Sequence, residues 1–213
     1  MADEIASRML ARAGTLCLVA GYVDAIGYTE LGGVFAANMT GNTVLLAIAA
    51  TRGEGARVAS YALTLVVFLA GAIISSASRR VTRRPVAGLL GAVAMLLVAT
   101  FAPASPFERL GLLAFAMGLQ GAAITRFGPI SLQTVVVTGT MIRLADSIVE
   151  HALPERSAPL TGATRLDALA WLSYIIGAAL AMGAQHVTGY PLLLAAAALL
   201  AIAVETATEG GAR

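Results

Sequence analysis

Apolar residues fall in long blocks along this chain, separated by short stretches rich in polar residues, glycine and proline. Eight segments result: Ala11–Tyr28, Gly33–Ala50, Val58–Ala77, Val86–Ala102, Phe107–Thr125, Ile130–Glu150, Leu166–Ala184 and Pro191–Val204. Six of them, all but the second and the sixth, are unbroken apolar runs. About 20 apolar residues suffice to cross a bilayer, so these six predict spanning helices, with Pro191–Val204 the shortest. Punctuation supports the boundaries. Ser105-Pro106-Phe107-Glu108 predicts a capping box with proline in the first helical turn. Pro85 and Pro191 stand where the fourth and eighth segments should begin.

The second and sixth segments have a different pattern. Each opens on an extended-looking stretch and then turns helical, at Thr40-Gly41-Asn42 and at Thr138-Gly139-Thr140. Threonine is a reasonable N-cap. A helix over Thr40–Ala50 has eleven residues, and its length of about 16 Å is roughly half the hydrocarbon core. These two segments therefore predict discontinuous or re-entrant half-helices.

The two halves of the chain resemble each other. Gly21-Tyr-Val-Asp24-Ala aligns with Gly118-Leu-Gln120-Gly-Ala. Thr40-Gly41 aligns with Thr138-Gly139 after one inserted residue, and Phe68-Leu-Ala-Gly71-Ala aligns with Tyr174-Ile-Ile-Gly177-Ala. The second half carries a longer polar link from Glu150 to Asp167. The expected organisation is a single membrane domain over 1–213, with a first repeat over 11–104 and a second over 105–205.

Composition turns this pattern into a statement about solvent. Hydrophobic residues make up 58% of the chain and charged residues 12%, with a mean hydropathy of +0.83. Soluble domains carry roughly twice that share of charge, so a soluble or disordered chain is excluded. All fourteen cations are arginine, and net charge is +2. They lie between the apolar runs, where they read as topology signals, and no nucleic-acid partner is expected. The start, MADEIASRMLAR, carries two acids and does not read as a removable signal peptide. Cys17 is the one cysteine and permits no intrachain disulfide or cysteine-based metal site.

The arginines discriminate between topologies. If all eight segments span, either the loop with Arg79, Arg80, Arg83 and Arg84 or the group Arg8, Arg12, Arg52, Arg57, Arg156, Arg165 and Arg213 falls outside, against the positive-inside rule. If the second and sixth segments enter and leave on one side, six helices span and both termini are cytoplasmic. Eleven arginines then lie inside, and only Arg52, Arg57 and Arg109 lie outside. Three spans per half make the repeats inverted, a plan that recurs in secondary transporters with a site near the bilayer midplane. The expected fold is thus all-α and integral to the membrane: six spanning helices plus two half-helices preceded by short extended stretches, in two inverted repeats.

Gly21-Tyr-Val-Asp24-Ala, followed by Val34-Phe35-Ala-Ala-Asn38-Met39-Thr40-Gly41-Asn42, resembles the signature of the YoaK-like family of bacterial inner-membrane proteins. Gly118-Leu-Gln120 with Val137-Thr138-Gly139-Thr140 is similar to that family's second motif. The resemblance covers nearly the whole chain. It implies a multi-pass protein of the bacterial cell inner membrane, and no particular activity. At the level of fold alone, the extended stretch followed by a half-helix is similar to the uracil-permease and sulfate-permease class, which is analogy and no warrant for function.

The candidate binding residues are Asp24, Asn38, Thr40, Gly41, Asn42, Gln120, Thr138, Gly139 and Thr140. An ionisable group inside an apolar span is costly, which makes Asp24 a candidate for function; the alternative is that it bonds local backbone. The asparagines, threonines and Gln120 either meet a ligand or satisfy backbone freed by the helix breaks. Two facing half-helix N-termini would attract an anionic group, with Gly41 and Gly139 allowing close approach and Asp24 exchanging a proton. Arg143 and Asp146 would pair within the sixth segment. Trp171, Tyr174 and Tyr61 read as packing or interface anchors. His151 and His186 have no second ligand at metal spacing. No HExxH, GxSxG or P-loop is present, so neither catalysis nor a cofactor or metal is expected.

These observations predict a small secondary transporter for a small anionic or weakly acidic solute, embedded in the lipid bilayer and forming a homodimer. A membrane scaffold or sensor is the competing expectation, and an intramembrane enzyme a distant third.

Overall fold

The computed structural model describes residues 2–82, 86–127, 130–131, 137–152 and 162–211. Eight helices are described: α1 (Ala2–Glu30), α2 (Met39–Thr51), α3 (Gly55–Thr82), α4 (Val86–Phe101), α5 (Pro106–Ala123), α6 (Val137–Ala152), α7 (Gly162–Val187) and α8 (Leu192–Gly211). Between α5 and α6, β1 (Arg126–Phe127) pairs antiparallel with β2 (Ile130–Ser131), in the register Arg126 to Ser131 and Phe127 to Ile130. Each of the eight expected segments corresponds to one helix. The capping box at Ser105 forms in full, with Glu108 reaching back to the Ser105 N–H at 2.8 Å. Pro191 immediately precedes α8, whereas Pro85 lies outside the described residues.

Among the described residues, three helices are long and apolar enough to cross a membrane: Ser7–Glu30, Gly55–Thr82 and Thr164–Val187. Shorter apolar helices occupy Met39–Thr51, Val86–Phe101 and Leu192–Thr208. Large apolar side chains face outward on α3 and α7, among them Val66, Leu69, Ile73, Leu172 and Ile176. The interior is built largely from alanine and leucine and also encloses Asp24, Asn42 and Gln120. Small residues inside and large apolar ones outside suit a lipid environment, where close packing rather than water exclusion joins helices.

Glycine permits the tightest of these crossings. On α1 and α7, a Cβ at Gly21 would overlap the Tyr174 carbonyl oxygen, and one at Gly177 would overlap that of Leu18. On α5 and α3, a Cβ at Gly118 would overlap the Phe68 carbonyl oxygen, and one at Gly71 that of Phe115. Gly21 and Gly118, like Gly71 and Gly177, are the glycines that align between the halves.

Side-chain contacts fix helix directions. Gly14 faces Ser173, Leu18 faces Gly177, and Thr29 bonds Gln185, so α1 and α7 run parallel. Leu63 faces Gly111, Phe115 faces Gly71, and Arg79 donates to Thr125 at 2.9 Å, so α3 and α5 run parallel. Glu30, Thr100, Arg109, Gln185 and Leu192 line one cavity. Thus α1, α4 and α7 finish at the end of the bundle where α5 and α8 begin. At the opposite end, Arg12 of α1 pairs with Glu205 of α8 at 3.1 Å. The six helices α1, α3, α4, α5, α7 and α8 therefore alternate in direction, with α2 between α1 and α3 in sequence and α6 between α5 and α7.

Candidate functional site

The first corner begins where α1 stops. Gly32 adopts φ +81°, a left-handed conformation open to glycine at little cost. The Gly33 N–H bonds the Tyr28 carbonyl at 3.0 Å, closing a Schellman-type end. The chain then descends beside α1 as an extended stretch in which Val34, Ala36 and Ala37 are buried. Phe35 stacks on Tyr28 with ring centroids 4.8 Å apart.

An extended stretch in an apolar setting exposes backbone groups that no helix satisfies. Asp24, 2% exposed, accepts from the Ala37 N–H at 2.5 Å and the Asn38 N–H at 3.3 Å. The Tyr174 hydroxyl of α7 donates to its other oxygen. Asn42, wholly buried, accepts from the Phe35 N–H at 3.0 Å and donates to the Phe35 carbonyl at 2.6 Å. Asn38 accepts from the Gly41 N–H at 3.1 Å, capping α2. The cap is therefore Asn38 rather than Thr40, because the helix starts at Met39 and places Thr40 in its first turn, exposed. Asp24 stands six residues before the end of α1, so the start of α2 lies roughly 9 Å below that end.

Asp24, Asn38, Gly41 and Asn42 thus form one cluster, whose hydrogen bonds run to backbone, to Tyr174 and to the Met39 sulfur. Gln120, buried on α5, donates to the Leu16 carbonyl at 3.4 Å. Leu16 is eight residues from Asp24, about 12 Å along α1, so Gln120 belongs to a different level of the bundle.

The second corner is held otherwise. Gly121 stands where Asp24 stands in the first half, and β1 and β2 make a short hairpin after α5. Residues 132–136 lie outside the described residues, as do the side chains of Thr138 and Thr140. Gly139 is half-buried in the first turn of α6, which begins at Val137 and not at Thr138. Arg143 pairs with Asp167 of α7 and not with Asp146, its Nε donating to Oδ2 at 2.8 Å and its other nitrogen to Oδ1 at 2.6 Å. The pair is inter-helical because α6 lies along α7 and Asp167 is buried between them, while Asp146 is exposed.

Two residues of the site had no sequence signal of their own. Tyr174, expected as an anchor, puts its hydroxyl on the buried Asp24 of α1. Asp167, expected in the polar link, lies inside α7. The repeat alignment could have pointed to both: of their counterparts, Tyr61 is buried in the core and Phe68 packs against it. Among the described residues, no group of three or more acidic, histidine or cysteine side chains is arranged to hold a metal ion.

Comparison with known proteins places the chain in a family of transmembrane proteins. The profile of a family described as a protein of unknown function, DUF1275, matches residues 13–205. UPF0700 transmembrane protein YoaK of Bacillus subtilis (strain 168) is 33% identical over 176 residues, covering 76% of this chain and 78% of its own length. UPF0700 transmembrane protein RA0705 of Rhizobium meliloti (strain 1021) is 29% identical over 173 residues, covering 79% of this chain and 72% of its own. No solved structure matches.

Proposed function

For a chain that belongs to the DUF1275 family, whose relatives are transmembrane proteins, we propose a small secondary transporter of the bacterial inner membrane. It is built from two inverted repeats of three spans each, with both termini cytoplasmic. The alternation of six helices supports six spans. The matched glycine crossings, α1 on α7 and α5 on α3, support the repeats. Helices α2 and α6 are the re-entrant elements. The solute is small and anionic or weakly acidic, and it is recognised between the two half-helix N-termini by Thr40, Gly41, Thr138, Gly139 and Thr140, with Asp24 as the proton-exchanging group. Neither catalysis nor a cofactor is part of this reading, and its partners are the lipid bilayer, the solute and a second copy of the chain in a homodimer.

The observation that carries the proposal is the start of α2, held below the end of α1 by a carboxyl group shared between an extended backbone and a phenol on a different helix. Protonation of Asp24 would weaken its hold on the Ala37 and Asn38 N–H groups and free that helix start. Substrate sites between discontinuous helices recur in transporters. The same hydrogen bonds favour a second reading: Asp24, Asn38 and Asn42 bond the chain itself, as a rigid non-transporting scaffold or sensor would require.

Proteoliposomes separate the two. Under an imposed pH gradient, radiolabelled uptake across a panel of small carboxylates, inorganic anions and nucleobases should reveal at least one solute whose flux exceeds that of empty vesicles. Asp24→Asn should abolish its pH dependence while still inserting. Full, still pH-dependent uptake by the Asn variant would make Asp24 structural, and no flux for any panel member would favour the scaffold.

A further inference from the structure

The end of the bundle where α1, α4 and α7 finish holds a polar cavity of about 380 Å³. Its wall carries one cation, Arg109, and one carboxylate, Glu30. The Arg109 Nε is buried and makes no hydrogen bond among the described residues. Glu30 accepts from the Gln185 amide at 2.8 Å, and that amide also bonds Thr29 at 3.2 Å, so the carboxylate is held by a neutral partner. Among the described residues, Arg109 and Glu30 form an ion pair neither with each other nor with any other group. Thr188 and Tyr190, in the turn between α7 and α8, line this cavity and also an apolar groove of about 590 Å³. The groove runs between α1, α7 and α8 past Leu18, Gly183 and Leu194. Nothing lies within 4 Å of a Cβ built on Gly183, so the groove is open there.

We infer that cavity and groove together bind one zwitterionic phospholipid bearing a primary ammonium. Its phosphate sits on the Arg109 guanidinium, whose planar fork matches phosphate oxygens. Its ammonium lies against Glu30, and an acyl chain follows the groove past Gly183. The charges select among occupants. An anionic lipid leaves Glu30 unmatched, and a quaternary ammonium cannot donate a hydrogen bond to it. A soluble zwitterion leaves the groove empty. The inference rests on the membrane setting and is independent of transport.

Native mass spectrometry of the full chain in detergent tests it, with equal amounts of phosphatidylethanolamine, phosphatidylcholine and phosphatidylglycerol. Phosphatidylethanolamine should be retained with about tenfold preference, a difference near 1.4 kcal/mol. Glu30→Gln should erase the preference over phosphatidylglycerol, and Arg109→Gln should weaken all three. A Cβ at Gly183 meets no protein atom, so Gly183→Leu should project into the groove, block every phospholipid and leave the melting temperature in lipid-free detergent unchanged. If Arg109→Gln fails to fold, Glu30→Gln and Gly183→Leu still decide. Preference for phosphatidylglycerol, retention in Gly183→Leu equal to that of the parent, or no retained lipid would each overturn the inference. Free phosphoethanolamine that binds as tightly as the lipid would also overturn it, by assigning the cavity to a soluble zwitterion.

Discussion

At the α1–α2 corner the chain turns on a buried carboxylate; at the α5–α6 corner Gly121 occupies the aligned position and offers no side chain. The corners differ again where each short helix meets its long neighbour. Arg143 and Asp167 make a two-pronged ion pair between α6 and α7, whereas the aligned residues between α2 and α3 are Leu45, partly buried against the apolar core, and Tyr61, buried within it. Phe68 stands where Tyr174 offers its hydroxyl to Asp24. The two halves thus share their glycine crossings, while their chemistry diverges. In the first half, polar groups serve the extended stretch and the short helix is apolar. In the second, the polar groups tie the short helix itself to its neighbour, and its outward face carries Met141, Ile142, Ile148 and Val149. A fold made of two similar halves can therefore confine a buried carboxyl group to one of them.

The largest expected effect falls on what the halves share. Gly21→Val and Gly118→Val each drive a side chain into the carbonyl oxygen of a facing helix. Each should cost about 3 kcal/mol or more, since backbone cannot retreat as a side chain can. Equal losses of folded yield on size-exclusion chromatography in detergent would uphold the equivalence of the crossings, and tolerance of one would break it.

The second effect separates the corners. Arg143→Leu strands Asp167 in the interior, and because Arg143 is itself half exposed the loss should be about 2 kcal/mol, below that of a fully buried pair. Adding Asp167→Tyr transplants the first half's Leu–Tyr combination and should restore most of that stability, read as the thermal midpoint in detergent. No recovery would mean that α6 needs the ion pair for more than cohesion.

Next comes the anchor. Tyr174→Phe makes the second-half residue match Phe68 and removes one hydrogen bond to Asp24, for about 1 kcal/mol. Its melting temperature should fall less than that of Asp24→Ala, which strands the Ala37 and Asn38 N–H groups as well. The reverse order would place the weight on the phenol instead of the backbone. The smallest effect is the cap: Asn38→Ala should cost about 1 kcal/mol or less, whereas Thr40→Ala, at an exposed first-turn position, should be close to neutral.

Much of the architecture was legible in the sequence because long apolar blocks and proline punctuation are local signals. Val86–Ala102 anticipates α4 to within one residue, and the Ser105 capping box appears as written. The Gly21–Gly118 and Gly71–Gly177 alignments mark the tight crossings, since small residues repeat where backbones must touch. The site was legible only in part. Asp24 stands out because a charge in an apolar run is conspicuous, yet its partners lie 13 and 150 residues away in sequence. Nothing local distinguishes a tyrosine that donates to a buried acid from one that packs. Arg143 had an acid three residues away at helical spacing; burial of Asp167 decided the pairing, and burial is a tertiary property. Asn38 and Thr40 both suit a cap, and the two-residue ambiguity is resolved by where the extended stretch ends.

The central claim is that the halves lie in the membrane in opposite orientations, with α2 and α6 returning to the side they left. It is tested most directly by cysteine accessibility in intact cells. Cys17, the one native thiol and buried, is first replaced by alanine, and single cysteines are then introduced by Ala2→Cys, Gly53→Cys, Thr82→Cys, Ala104→Cys and Ala212→Cys. The account predicts that an impermeant maleimide labels the 53 and 104 positions from outside and leaves 2, 82 and 212 unlabelled until the cells are opened. Labelling of position 82 on the side opposite to position 2 would contradict it, and the inverted arrangement would fall with it.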